Sequence, residues 1–173
     1  KASVLKTPAT STNLIEGSTL EFTLSIDNAA VTDKGIMYPI AYDLLPVGLE
    51  YTAGSSKLRL FQRVGGTSTT FIVEPQVISN YNGTGRTLLI WKTDNLPFTA
   101  AQSSLKNNFE TNGLINQNSA TTEMITRISI TYNTVASAFM KSGASINESY
   151  ADSDVSTLYP ATLPAAQKIV DTY

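Results

Sequence analysis

Glu148, Asp152 and Asp154 lie close enough in sequence to form a weak candidate cation site. Three oxygen donors suit a hard cation such as calcium. Their spacing lacks the central Gly and closing Glu of an EF-hand loop, so a solvated acidic loop is the favoured reading. Two carboxylates facing across a cleft could hydrolyse a glycosidic bond. The chain holds 14 Asp and Glu residues and nothing selects one pair among them, so no enzymatic activity is expected. The 173 residues include no Cys and no His. That excludes, within this chain, a Ser-His-Asp triad, a Cys nucleophile, a His general base and a thiolate zinc site. No cofactor is expected beyond the weak calcium candidate. Trp91, Tyr38, Tyr42, Tyr51, Tyr81, Tyr132 and Tyr150 could stack on sugars. Trp91 sits mid-strand in an apolar run and is expected in the core. Tyr81, at a turn tip, is the aromatic expected to be exposed.

The charged fraction is 15%, against roughly 25% for an average soluble domain. Polar neutral residues fill the gap, with 18 Ser, 23 Thr and 12 Asn. Such a surface is common in exported proteins, and the Cβ-branched Thr favours strands. A net charge of -2 and a pI near 5.1 argue against a nucleic-acid partner. No apolar run approaches the roughly 18 residues of a membrane-spanning helix. The chain starts at Lys1 rather than Met and reads as a fragment of something longer,. Its length suffices to bury a core without disulfides or metals.

The elements that must position any site read as strands. Val4-Leu5-Lys6 is a short first strand, ended by Thr7-Pro8. Thr19 to Asp27 alternates, with Leu20, Phe22, Leu24 and Ile26 on one side and hydroxyls and acids on the other,. Ile36 to Leu45 is an apolar stretch in which Pro39 implies an edge or a bulge. Lys57 to Val64 alternates up to a Gly65-Gly66 turn. Thr70 to Ser79 and Thr87 to Thr93 flank an Asn-Gly tip at Asn82-Gly83 and read as a hairpin,. Phe98 to Asn118 breaks the rhythm, with a short helix expected around Ala100–Phe109. Thr122 to Val135 is strand again, with Ile128, Ile130 and Tyr132 in phase, and Ser145 to Ala151 is expected as the last strand. About eight short strands with regular turns predict an all-β chain, a β-sandwich. The expected domain is 1–157, with an insertion at about 98–121. Residues 158–173, with Pro160 and Pro164, read as an exit segment towards a following module.

Residues 17–55 contain Gly17-Ser18-Thr19, the alternating strand ending at Asn28, then Asp43, Leu45-Pro46 and Gly48-Leu49. This pattern resembles the conserved repeat domain of bacterial and archaeal cell-surface proteins. It also resembles the isopeptide-forming domain of Gram-positive backbone pilins and collagen-adhesin-like stalks. Ser142 to Asn147 is similar to the family's closing strand, which carries an Asn. The Phe98–Asn118 stretch has no counterpart there. The resemblance implies an immunoglobulin-like β-sandwich with a structural or adhesive role on the bacterial surface.

It also implies a candidate reaction. In the pilin relatives a first-strand Lys attacks a last-strand Asn side chain, assisted by a buried acid. Lys6, Asn147 and Asp43 occupy those positions. Burial in an apolar core disfavours both charges, leaving a neutral amine as nucleophile and a protonated carboxyl to polarise the amide. The expected function is a stalk or spacer module of an extracellular, cell-surface protein, partnered by neighbouring modules of its own chain. The alternative is an adhesin domain that binds a glycan or host matrix protein through loops such as the 98–118 insertion.

Overall fold

The computed structural model describes residues 2–7, 14–30, 34–63, 67–137, 146–152 and 169–172, with backbone alone for Ala2 and the last two segments. Eleven strands occur among them. They are β1 (Ala2–Thr7), β2 (Thr19–Asn28), β3 (Ile40–Leu45), β4 (Leu49–Tyr51), β5 (Lys57–Gln62) and β6 (Ser68–Ile72). There follow β7 (Gln76–Ile78), β8 (Thr87–Lys92), β9 (Ile125–Ala136), β10 (Ile146–Asp152) and β11 (Ile169–Thr172). One sheet runs β1-β2-β9-β5-β6, with β4 also on β9; the other runs β11-β10-β3-β8-β7. Every strand pairing is antiparallel. This is the β-sandwich expected from alternation and turn spacing, of the immunoglobulin-like kind that the residue 17–55 resemblance implied.

The core lies between the sheets. Phe22, Leu24 and Ile26 of β2 meet Leu58 and Leu60 of β5 and Ile128, Ile130 and Tyr132 of β9. Ala41, Leu45, Leu89 and Trp91 come from the facing sheet. In β2 the inward positions are buried and the Thr, Ser and Asp between them are partly exposed, which is why its period was so clear. In β3 all six residues are buried, so no alternation could show. Its outer face carries Ile40, Tyr42 and Leu44, which join Leu88, Ile90 and Tyr81 in a second cluster.

That cluster corrects the expectation for Tyr81, which is 5% exposed. Asn80 and Asn82 both take left-handed conformations, and the resulting tight 3-10 turn folds the tip back over the sheet. The hairpin itself forms from β7 and β8. The stretch 70–79 is not one strand, however. It leaves the first sheet after Ile72, crosses at Val73-Glu74-Pro75 and enters the second sheet at Gln76. Pro75 cannot donate a ladder hydrogen bond, which favours the break there. Likewise the stretch 36–45 is strand only from Ile40, because Tyr38 is left-handed. Nor is β10 the closing strand. Ile169–Thr172, within the expected exit segment, pairs with it at the sheet edge. The Gly65-Gly66 turn lies outside the described residues.

The expected helix is present as a 3-10 turn, Ala100–Gln102, running into α1, Ser103–Asn112. Gln102 bonds back to the Thr99 amide at 2.9 Å, a capping arrangement for the helix start. Phe109 is fully buried, and Leu105 and Phe98 pack against the core. Gly113 ends the helix at φ 68°. There a Cβ would collide with the Ile36 carbonyl, so only glycine serves. Leu114 then bridges Ile36 on one side and Ile125 on the other, fastening the insertion to the sandwich.

Candidate functional site

Alternation along β1 turns Val4 and Lys6 inward and leaves Leu5 60% exposed. The result is unusual: Lys6 is only 1% exposed. Backbone register explains its depth. Lys6 pairs with Leu24 on β2, and Leu24 pairs with Ile130 on the central strand β9. The amine therefore sits above the middle of the core. Asp43 reaches the same place from the opposite sheet and is fully buried. Lys6 Nζ lies 3.9 Å from Asp43 Oδ1. Burying an ionisable group is costly unless a partner offsets it. A lysine and an aspartate together carry no net charge, whether as an ion pair or, after proton transfer between them, as neutral amine and acid. Strand phase put Lys6 on a face with Val4 and Asp43 on a face with Ala41, and all four side chains are buried.

Tyr132 completes the group. Its hydroxyl donates a hydrogen bond to Asp43 Oδ2, so the two oxygens of Asp43 face different partners. The Tyr132 ring is held by Phe22, with centroids 5.5 Å apart, and by Trp91 at 5.1 Å. Trp91 is the buried residue expected; its Nε1 donates to Ser56 Oγ at 2.7 Å. Lys6 Nζ stands 5.7 Å from the Phe22 ring centre. A neutral amine or a cation is accommodated over such a face. The surroundings are thus aromatic, closed to solvent and fixed on strands rather than loops.

Asn147 lies on β10, two residues before Ser149, which pairs with Asp43. β10 also lies alongside β1 across the sandwich. The Asn147 side chain falls outside the described residues. Glu148 and Asp152 sit on the same strand, opposite Leu44 and Ile40; Asp154 lies outside the described residues. Phe22 and Ser56 were not singled out as site residues in the sequence, and Tyr132 only as one of the aromatics that could stack on sugars. A signal existed for Tyr132. An inward phase shared with Ile128 and Ile130 places its hydroxyl in the core, where a phenol needs a polar partner.

Asn28, the strand-ending Asn of the motif, has a structural task. It is 3% exposed, and its amide donates to the carbonyls of Leu114 at 3.0 Å and Lys34 at 3.2 Å. Asn116 donates back to the Asn28 carbonyl at 2.8 Å. A separate polar knot joins the loops at the β4 end. Glu74 accepts hydrogen bonds from Tyr51 at 3.0 Å and the Gly54 amide at 2.8 Å. Burial first, and Glu74 second, push the Tyr51 phenol up to about 12.

No protein-family model matches the chain, and no curated protein matches it by sequence. Solved structures do match its fold. The major pilin SpaA of Corynebacterium diphtheriae, described as a modular pilus assembly with stabilising isopeptide bonds, matches at 12% identity with a TM-score of 0.50. The match covers 91% of this chain and 32% of the pilin. The fimbrial protein FimP of Actinomyces oris matches at 14% identity and TM-score 0.50, over 90% of this chain and 32% of that one. A collagen-binding domain from a Staphylococcus aureus adhesin matches more distantly, at 8% identity and TM-score 0.40, over 93% of this chain and 98% of that domain. The chain spans about a third of the length of either pilin. These neighbours are pilins and an adhesin, and the fold shared with the two pilins is the one the residue 17–55 motif implies.

Proposed function

We propose that this domain is a structural stalk module of a bacterial surface protein, locked internally by an isopeptide bond between Lys6 and Asn147. One observation carries the reading: Lys6, 1% exposed, meets a fully buried Asp43 at 3.9 Å inside an aromatic enclosure. A solvated strand-end lysine has no reason to be there. The chemistry balances without a cofactor. The neutral Lys6 amine attacks Asn147 Cγ, forming a C–N bond, while protonated Asp43 gives its proton to the amide oxygen. Asp43 then takes a proton from Nζ and passes it to Nδ2. The Cγ–Nδ2 bond breaks, ammonia leaves, and the oxygen returns its proton to Asp43. The acid ends as it began.

The bond would join β1 of one sheet to β10 of the other. A load entering before β1 and leaving after β10 would pass along it rather than through hydrogen bonds. The insertion supports the same reading, because Phe109, Leu114 and Ile115 are spent on the core. Intact mass of the purified chain tests the proposal. The expected mass is short by one ammonia, and a Lys6→Ala variant returns to the full theoretical value. A wild-type chain at full mass overturns it.

A further inference from the structure

We propose that Tyr132 is a positioning residue for this reaction, holding Asp43 Oδ2 so that the carboxyl proton resides on Oδ1, the oxygen turned to Lys6. The inference rests on the isopeptide reading. A neutral carboxyl has one hydroxyl oxygen and one carbonyl oxygen, and only the second is a good acceptor. The Tyr132 hydroxyl donates to Oδ2, which makes Oδ2 the carbonyl oxygen. The acidic proton is then left on Oδ1, 3.9 Å from Lys6 Nζ. Tyr132 itself gains and loses no proton through the sequence of steps.

Geometry gives the phenol little freedom to do otherwise. Tyr132 is fully buried on the central strand. Phe22, paired with it across the β2–β9 ladder, stacks on one side. Trp91 of the opposite sheet is pinned to Ser56 and packs against the same ring, with centroids 5.1 Å apart. Tyr132 and Lys6 both come from the first sheet, and Asp43 comes from the second. The phenol and the amine therefore approach one carboxyl from the same side, each through its own oxygen.

The test is the rate of ammonia loss as the chain, isolated unreacted from inclusion bodies, folds for the first time out of denaturant, followed by intact mass across a range of pH. Tyr132→Phe keeps the ring and removes the donor. We expect the reaction to slow by about ten- to a hundredfold, the scale of a misplaced catalytic group. The alkaline limb of its pH profile should also move to higher pH. A donor to the carboxylate favours the ionised form, so removing it keeps Asp43 protonated further into alkali. Trp91→Phe disturbs the packing but leaves the donor, and should keep the wild-type profile. A Tyr132→Phe chain that reacts at the wild-type rate and with the wild-type profile overturns the role of Tyr132 and leaves the isopeptide reading standing. A wild-type chain that never loses ammonia overturns both. Should Tyr132→Phe fail to fold, the unreacted Lys6→Met chain gives a second readout. Its Tyr132 hydroxyl proton should be visible by NMR and protected from solvent exchange; a freely exchanging proton overturns the proposal.

Discussion

Two tyrosines show how differently one side chain type is used in this molecule. Tyr132 spends its hydroxyl on a buried acid, whereas Tyr51 spends it on Glu74 near the surface, at 3.0 Å to each carboxylate oxygen. Burial and Glu74 together raise the Tyr51 phenol from 10.0 to about 12. The fold therefore favours the neutral phenol. That contribution to stability is complete below the unfolded value of 10.0 and is lost as pH climbs through about 12,. In an alkaline absorbance titration, the step that a Tyr51→Phe variant loses should lie near 12. Glu74→Gln should bring that step part of the way back, because burial, the larger cause, persists. An unmoved step would mean that Glu74 contributes nothing. The same contrast governed legibility at this scale. Strand phase could be read to put Lys6 on a face with Val4 and Asp43 on a face with Ala41. Tyr132 could be read as inward, but not as bonded to Asp43, because that contact joins β9 to β3 across the sandwich and no sequence spacing encodes it.

Elements with one wet face were readable from their alternation; of those covered on both faces, β8 was found to within a residue and β3 was not. β2 was found almost to the residue from its alternation, because solvent on one side enforces a polar choice at every second position. β3 is buried throughout, and its start was misplaced by four residues. The 70–79 stretch hid a sheet crossing because both halves are equally β-favouring and only Pro75 marks the change. The insertion was recognised by its composition, but its purpose became visible only in space. Phe109, Gly113, Leu114 and Asn28 tie it to the end of the sandwich. Gly113 is the narrowest point of that attachment, with a left-handed backbone and no room for a Cβ against Ile36. Gly113→Ala should therefore destabilise the domain by more than about 1 kcal/mol. Hydrogen exchange should quicken first at the Ile36 and Leu114 amides, which bond each other's carbonyls at 2.9 Å. Loss spread evenly over all strands would instead mean that the insertion and the sandwich unfold as one unit.

At the scale of the whole molecule, a Lys6–Asn147 bond changes the unfolded state more than the folded one. It would close a loop of about 140 residues, and by the chain-entropy argument used for disulfides that is worth about 5 kcal/mol. Folded contacts need not change at all. The right comparison is therefore Lys6→Met, which keeps the length of the side chain in the core while removing the amine. Its folded state loses the partner of Asp43, but the unfolded chain becomes fully open. Two quantities separate these effects in urea. Loss of a buried partner lowers the midpoint and leaves the slope of free energy against urea unchanged. Loss of a cross-link exposes more surface on unfolding, so the slope itself should rise. We expect Lys6→Met to show both a lower midpoint and a steeper slope, and wild type in denaturant to migrate as a more compact chain than the variant. Equal slopes and equal denatured size would mean that the unfolded chains are alike and that no covalent link joins the two strands. The charged pair would then hold the sheets together only while they are folded. A stalk built that way would yield under load once its hydrogen bonds gave way, whereas a cross-linked one would stop extending at residue 6 and resume only beyond residue 147.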